Sequence, residues 1–166
     1  MLIATARLRL ADWTEAAVDE LLAMHSDADV QRYIDPIGSG WSREKAMKRL
    51  SEWQKEAREL GLGKYRVLRR SDGQFIGRAG FSQSGDTPEL GYSLARAHWG
   101  LGYATEIAAA LRDWFFEMQP NGRFTAMAHR DNAASLAVLR KIGMQHTGQG
   151  EVDGMPHEFF EKWRSR

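Results

Sequence analysis

The segment Trp99-Gly100-Leu101-Gly102-Tyr103-Ala104-Thr105-Glu106 concentrates the chemistry this sequence offers. It sits where an extended run gives way to the longest predicted helix. A helix beginning here presents backbone N–H groups without internal partners and a partial positive charge, and the absence of side chains at Gly100 and Gly102 lets a diphosphate come close to them. Two glycines at this spacing also make an ordinary tight turn, so context must decide. No Gly-Lys-Ser or Gly-Lys-Thr occurs, which excludes a P-loop. A dinucleotide fingerprint needs Gly or Ala where Thr105 stands and an acidic residue at a following strand end, whereas Glu117 falls inside the predicted helix.

The elements that must position this loop follow from periodicity. Residues 2–10 read as a strand, and Thr14 opens a helical pattern carrying Ala17, Leu21, Leu22 and Met24. A breaker-rich loop at 35–41 precedes Ser42, a candidate N-cap for a helix with Ala46, Leu50, Trp53, Ala57 and Leu60 on one face, which Gly61 ends. Residues 65–69 and 74–81 form a hairpin around Asp72-Gly73, and 89–94 adds a third strand with Leu90, Tyr92 and Leu94 on one face and Glu89, Gly91 and Ser93 on the other. From Leu101 a helix carries Ala104, Ile107, Ala108, Leu111, Phe115 and Met118 as its apolar stripe. A strand at 123–129, a short helix at 132–142 and two extended stretches complete the chain. The order β-α-α-β-β-β-α-β-α-β-β predicts an α/β (α+β) fold, with a mixed, mostly antiparallel sheet and a right-handed βαβ crossover near its centre.

Composition sets the class. The 166 residues fit one domain, 1–166, and 43% hydrophobic with 27% charged residues is ordinary for a soluble globule. Net charge is +1, so no global field draws the chain to nucleic acid or an anionic membrane. Arg7 and Arg9 interrupt the N-terminal apolar residues, no run reaches membrane-span length, and there is no cysteine. The expectation is a cytoplasmic protein without disulfides or thiolate metal sites.

Gly91-Tyr92, the run 99–106, Asn132-Ala133-Ala134-Ser135 and Lys141-Ile142-Gly143-Met144 together resemble the GNAT superfamily of N-acetyltransferases, most of all the branch containing bacterial ribosomal-protein alanine N-acetyltransferases. The resemblance implies a GNAT-like sheet with helices on both faces, acetyl-CoA as acyl donor, no metal, and direct attack by an amine within a ternary complex. It places the diphosphate on main-chain N–H groups of Trp99, Gly100, Leu101, Gly102, Tyr103, Ala104 and Thr105, with Trp99 where the superfamily usually has Gln or Arg. It implies that the strand before the loop splays from its neighbour and holds pantetheine through Ser93 and Leu94, with a strand N–H such as that of Leu94 donating to the oxyanion. It also brings Asn132 to the pantetheine arm; by itself Asn132 reads equally as an N-cap.

Many relatives carry a tyrosine acid seven residues after the Asn, but this chain has Leu139 there. Ser135, on the same helix face as Asn132, becomes the candidate for protonating the thiolate, or else a small residue at a crowded contact. Glu89 is the candidate base, directly or through water, or else a solvated strand-end carboxylate. Glu106 reads as complementing the helix dipole, His129 as structural, and His157 and Glu158 as weaker base candidates. Trp41, residues 35–40 and residues 151–160 are expected to line the acceptor site. Protein N-termini and small amines both remain open as acceptors, a homodimer is compatible with the reading, and a catalytically silent acetyl-CoA-binding or partner-binding module is the alternative.

Overall fold

The computed structural model describes residues 3–164. The N-terminal strand, β1 (Leu8–Ala11), is shorter than the sequence suggests because the chain first doubles back: Thr5 N–H donates to Leu8 O and Leu10 N–H to Ile3 O. Residue 2, at the start of the expected strand, lies outside the described residues. The expected first helix divides. A single 3-10 turn at Glu15–Ala17 leads into α1 (Val18–His25), and after Asp27, whose carboxylate accepts from Asp29 N–H, comes an unforeseen short helix, α2 (Ala28–Gln31). Helix α3 (Arg43–Leu60) starts and stops where expected: Ser42 Oγ accepts from Lys45 N–H at 3.1 Å, and Gly61 takes the left-handed conformation that ends a helix.

Strands β2 (Gly63–Arg69), β3 (Phe75–Ser84) and β4 (Thr87–Leu94) form the expected antiparallel meander. Helix α4 (Tyr103–Met118) begins two residues after the expected start at Leu101, since Gly100 and Gly102 have φ of +73° and +80° and turn the chain before the helix can start. Then follow β5 (Arg123–His129), α5 (Ala133–Lys141), β6 (Gln145–Val152) and β7 (Met155–Trp163).

The seven strands are ordered β1-β2-β3-β4-β5-β7-β6, with every neighbouring pair antiparallel except β4 and β5. Two cores cover the two faces. On one, α4 and α5 pack Ile107, Leu111, Phe115 and Leu139 against Phe81, Leu90, Phe124 and Phe160. On the other, α1–α3 pack Leu21, Met24, Ala46, Leu50 and Trp53 around Trp13 and Trp41. Helices α1 and α3 pack against β2 and β3, while α4 packs against β3 and β4 and α5 against β5.

Candidate active site

The site begins as a defect in the sheet. Strands β4 and β5 share a single registered pair, Glu89 with Thr125, and diverge beyond it. In the antiparallel ladder between β3 and β4, Ala95 N–H donates to Ile76 O at 2.9 Å. Alternation then turns the backbone groups of Ser93, Gly91 and Glu89 toward β3, and those of Leu94, Tyr92 and Leu90 toward β5. Because β5 has moved away, the N–H groups of Leu94 and Tyr92 face the gap without a strand partner. Ser93 differs from Leu94 in that its backbone belongs to the ladder with Arg78, although the residue itself lines the cavity. Leu94 O is taken by Trp99 Nε1 at 2.9 Å, so Leu94 offers its N–H alone.

The gap opens into a cavity of about 860 Å³ that continues to the start of α4. Gly102 is the N-cap of α4 and supplies no capping side chain, so the first-turn N–H groups are not satisfied by one. Gly100 has open space where a Cβ would stand. Gly100, Gly102, Tyr103, Ala104 and Thr105 line the cavity along with Trp99; Leu101 points to the surface instead. The main-chain N–H of Trp99 is spent on Arg96 O, which leaves Trp99 to act through its indole, fastening the loop to the end of β4.

Glu106 does more than complement the helix dipole. Its carboxylate accepts from Thr5 Oγ1, Arg7 N–H and Arg7 Nε at 2.6, 2.9 and 2.7 Å, and Arg7 Nη1 donates to Leu101 O while its guanidinium lies 4.5 Å from the Tyr103 ring centroid. These contacts hold the carboxyl below its usual range and fix a cation beside the loop.

Across the gap, Asn132 Oδ1 caps α5 by accepting from Ser135 N–H at 3.1 Å, and Asn132 and Ser135 both line the cavity. Leu139 is buried in the core and does not line the cavity. A phenol comes from the strand instead. The Tyr92 hydroxyl lies 3.1 Å from Ser135 Oγ, and burial pushes Tyr92 up to about 12, which keeps it protonated. The sequence pattern gives Tyr92 no chemistry: its alternation with Leu90 and Leu94 is readable, its partner on a helix 43 residues away is not.

The candidate bases separate by position. Glu89 sits at the apex of the splay, outside the cavity lining; burial raises its carboxyl, and Lys64 and His157 counteract that. Lys64 itself is pushed down to about 7 by desolvation and by neighbouring Arg78. Glu158 is committed to His146 and Arg130 at 2.6 and 3.1 Å. His129 and His157, paired in register across β5 and β7, both line the cavity. On the α2 side the wall is Val30, Tyr33, Ile34 and Arg49, joined by Val152, Asp153 and Met155 from the terminal hairpin. Trp41 is not part of it: the indole is buried in the second core, stacked on His25 at 3.7 Å, and residues 35–40 do not line the cavity either. Among the described residues no group of His, Asp or Glu is placed to hold a metal ion.

The model of the acetyltransferase (GNAT) domain matches residues 7–145 of this chain. The chain belongs to the GNAT acetyltransferases. It is 31% identical over 153 residues to the Bacillus subtilis protein YkkB, covering 87% of this chain and 86% of that one, and 27% identical over 150 residues to the Bacillus subtilis N-acetyltransferase YoaA, covering 89% and 84%. Among solved structures it is similar to a GNAT-family acetyltransferase from Bordetella pertussis, with a TM-score of 0.83 and 25% identity over 98% of this chain and 99% of that one. The ribosomal-protein α-N-acetyltransferase RimL, solved in complex with coenzyme A, shares the fold at a TM-score of 0.83 and 19% identity over 98% of both chains. The GNAT chain described here is accordingly an acetyl-CoA-dependent acyltransferase.

Proposed function

We propose that this GNAT protein transfers the acetyl group of acetyl-CoA to a primary amine, by direct attack in a ternary complex and in the cytoplasm. The observation that carries the reading is the continuity of three donor sets along one cavity: the uncapped start of α4, the unpaired N–H groups of Leu94 and Tyr92, and the Ser135 hydroxyl. The diphosphate would rest on the N–H groups from Gly100 to Thr105, with Arg7 beside them. Pantetheine would run along β4 toward Asn132, placing the thioester oxygen at Leu94 N–H as it gains charge. Ser135, backed by Tyr92, would give its proton to the departing thiolate. That pair supplies what Leu139 lacks and favours turnover over a silent binding module.

The amine would arrive from the α2 side and be drained of its proton toward Glu89, which needs an intermediary because it is not in the cavity wall. The acceptor is a protein N-terminus or a small amine; the coenzyme A-bound relative is a ribosomal-protein α-N-acetyltransferase, which favours testing peptides first. A thiol-release screen with acetyl-CoA over peptide N-termini, aminoglycosides, polyamines and amino acids tests the proposal. Amine-dependent release with matching N-acetylated product is the expected result, and acetyl-CoA left intact by the whole panel goes against it.

A further inference from the structure

We infer that His157 is the group that takes the proton from the incoming amine, with Glu89 stabilising the charge from behind. The inference rests on the acetyl-transfer reading and names the intermediary it requires. His157 Nδ1 lies 2.9 Å from Met155 O. A carbonyl oxygen only accepts, so Nδ1 carries the hydrogen, and the neutral ring keeps its lone pair on Nε2. His157 is 6% exposed and lines the cavity.

Its neighbour is wired the opposite way. His129 lies with its ring 5.8 Å from that of His157 in an edge-on arrangement, and its Nδ1 accepts from Asp131 N–H at 3.1 Å. In the neutral ring the hydrogen of His129 is therefore on Nε2, which makes it a donor where His157 is an acceptor. Of the other bases the sequence singles out, Glu158 is held by Arg130 and His146 and Glu89 lies outside the cavity. Glu89 is nonetheless close enough for His157 to act electrostatically on its carboxyl. The charged and titratable groups around His157 are Glu89 from β4, Lys64 behind it on β2, His129 on β5, Asp131 and Asp153 from the loops along the same cavity, and Asp29, Tyr33 and Arg49 on its α2 and α3 side.

The proton balance closes. An alkylammonium loses two protons on becoming an amide: His157 Nε2 takes the first, which frees the lone pair for attack, and the second leaves the nitrogen for solvent once the C–N bond has formed. The C–S bond then breaks, the thiolate takes the Ser135 hydroxyl proton, and Ser135 is reprotonated from solvent through Tyr92. His157 returns its proton to solvent, so the net products are the amide, CoA and one proton.

The test begins with nitrogen NMR of histidine-labelled protein saturated with CoA at pH 8, assigned by through-bond correlations. The Nδ1-protonated neutral tautomer at His157 and the Nε2-protonated one at His129 are expected; an Nε2-protonated His157 overturns the inference. In parallel, His157→Asn keeps a donor for Met155 O and removes the acceptor nitrogen. With the amine that wild type acetylates fastest, kcat at pH 7 is expected to fall by on the order of 10²-fold, at unchanged CoA affinity, with the deficit narrowing as pH rises and the amine deprotonates by itself. Activity within about threefold and an unshifted pH profile overturn the assignment. Failure of wild type to bind CoA would instead refute the acetyl-transfer reading, so the two failures are distinguishable.

Discussion

Acidification should loosen the acceptor side of the site through His25, and the size of the effect can be worked out. His25 is 0% exposed, its Nε2 accepts from Arg78 Nε at 3.1 Å, and its Nδ1 donates to Gln31 Oε1 at 2.7 Å. Arginine cannot accept, so this chain of bonds requires a neutral imidazole. Burial and then the Arg78 charge push it from 6.5 down to about 3. The folded state therefore resists a proton that the unfolded chain takes up below 6.5. Stability from this group is complete above that pH and is lost as pH falls toward 3. Between pH 7 and pH 5 the loss is about 2 kcal/mol, at about 1.36 kcal/mol per pH unit below 6.5, and it is insensitive to the folded value so long as that stays well under 5. For a domain of this size the melting midpoint should drop by about 4–8 °C from this cause. The assay is a set of thermal melts from pH 7 to pH 5 on wild type and His25→Gln, where the difference between the two slopes isolates His25 from other titrating groups. Parallel slopes would refute the neutral, buried imidazole. Since Gln31 belongs to α2, whose neighbours Val30, Tyr33 and Ile34 wall the cavity, the acid form should also weaken acceptor binding before it unfolds the chain.

Other outcomes follow from the same geometry. Gly102→Asp forces a side chain into left-handed backbone and sets a carboxylate at the start of α4; CoA affinity measured by calorimetry should fall by on the order of 10²-fold or more, since lost hydrogen bonds to a charged group cost about 1.5–3 kcal/mol each, while far-UV circular dichroism stays near wild type. Ser135→Ala should lower kcat by on the order of 10²-fold with CoA affinity kept, and adding Tyr92→Phe should cost little more in kcat, because the two hydroxyls act as one unit. Glu106→Gln leaves Arg7 without its carboxylate and should reduce stability by about 1 kcal/mol in a denaturant titration, given that the pair is partly exposed, and should weaken CoA binding with it.

What was legible in the sequence was local. Ser42, Gly61 and Asn132 announce helix ends through bonds spanning three to five residues, and the α4 stripe and the Gly100–Gly102 turn are likewise contained in one window. The splay of the strand before the loop came with the family resemblance rather than from periodicity, whereas the strand order and the start of the splay at Glu89 are seen only in the structure. The parts that stayed hidden join distant segments. Helix α2 is too short to show a period and is fixed to β3 by the chain Arg78, His25, Gln31. Trp41, an aromatic in a loop rich in Gly and Pro, read as a site residue until its stacking on His25 placed it in the core. Which of Ser93 and Leu94 faces the gap depends on ladder phase, set by Ala95 N–H on Ile76 O, and no side-chain pattern encodes that. The opposed wiring of His129 and His157 depends on their Nδ1 partners, Asp131 N–H and Met155 O.

The central claim is that one continuous cavity, from the uncapped start of α4 through the β4–β5 gap, holds acetyl-CoA. The most direct measurement is the melting midpoint of the wild-type protein with CoA, and separately with NAD and ATP. At 100 times its Kd a ligand bound only to the native state adds about 2.7 kcal/mol, which for a chain of 166 residues is a rise of about 5–11 °C. A rise of that size with CoA and none with NAD or ATP is the predicted result; a midpoint unmoved by saturating CoA would contradict the account.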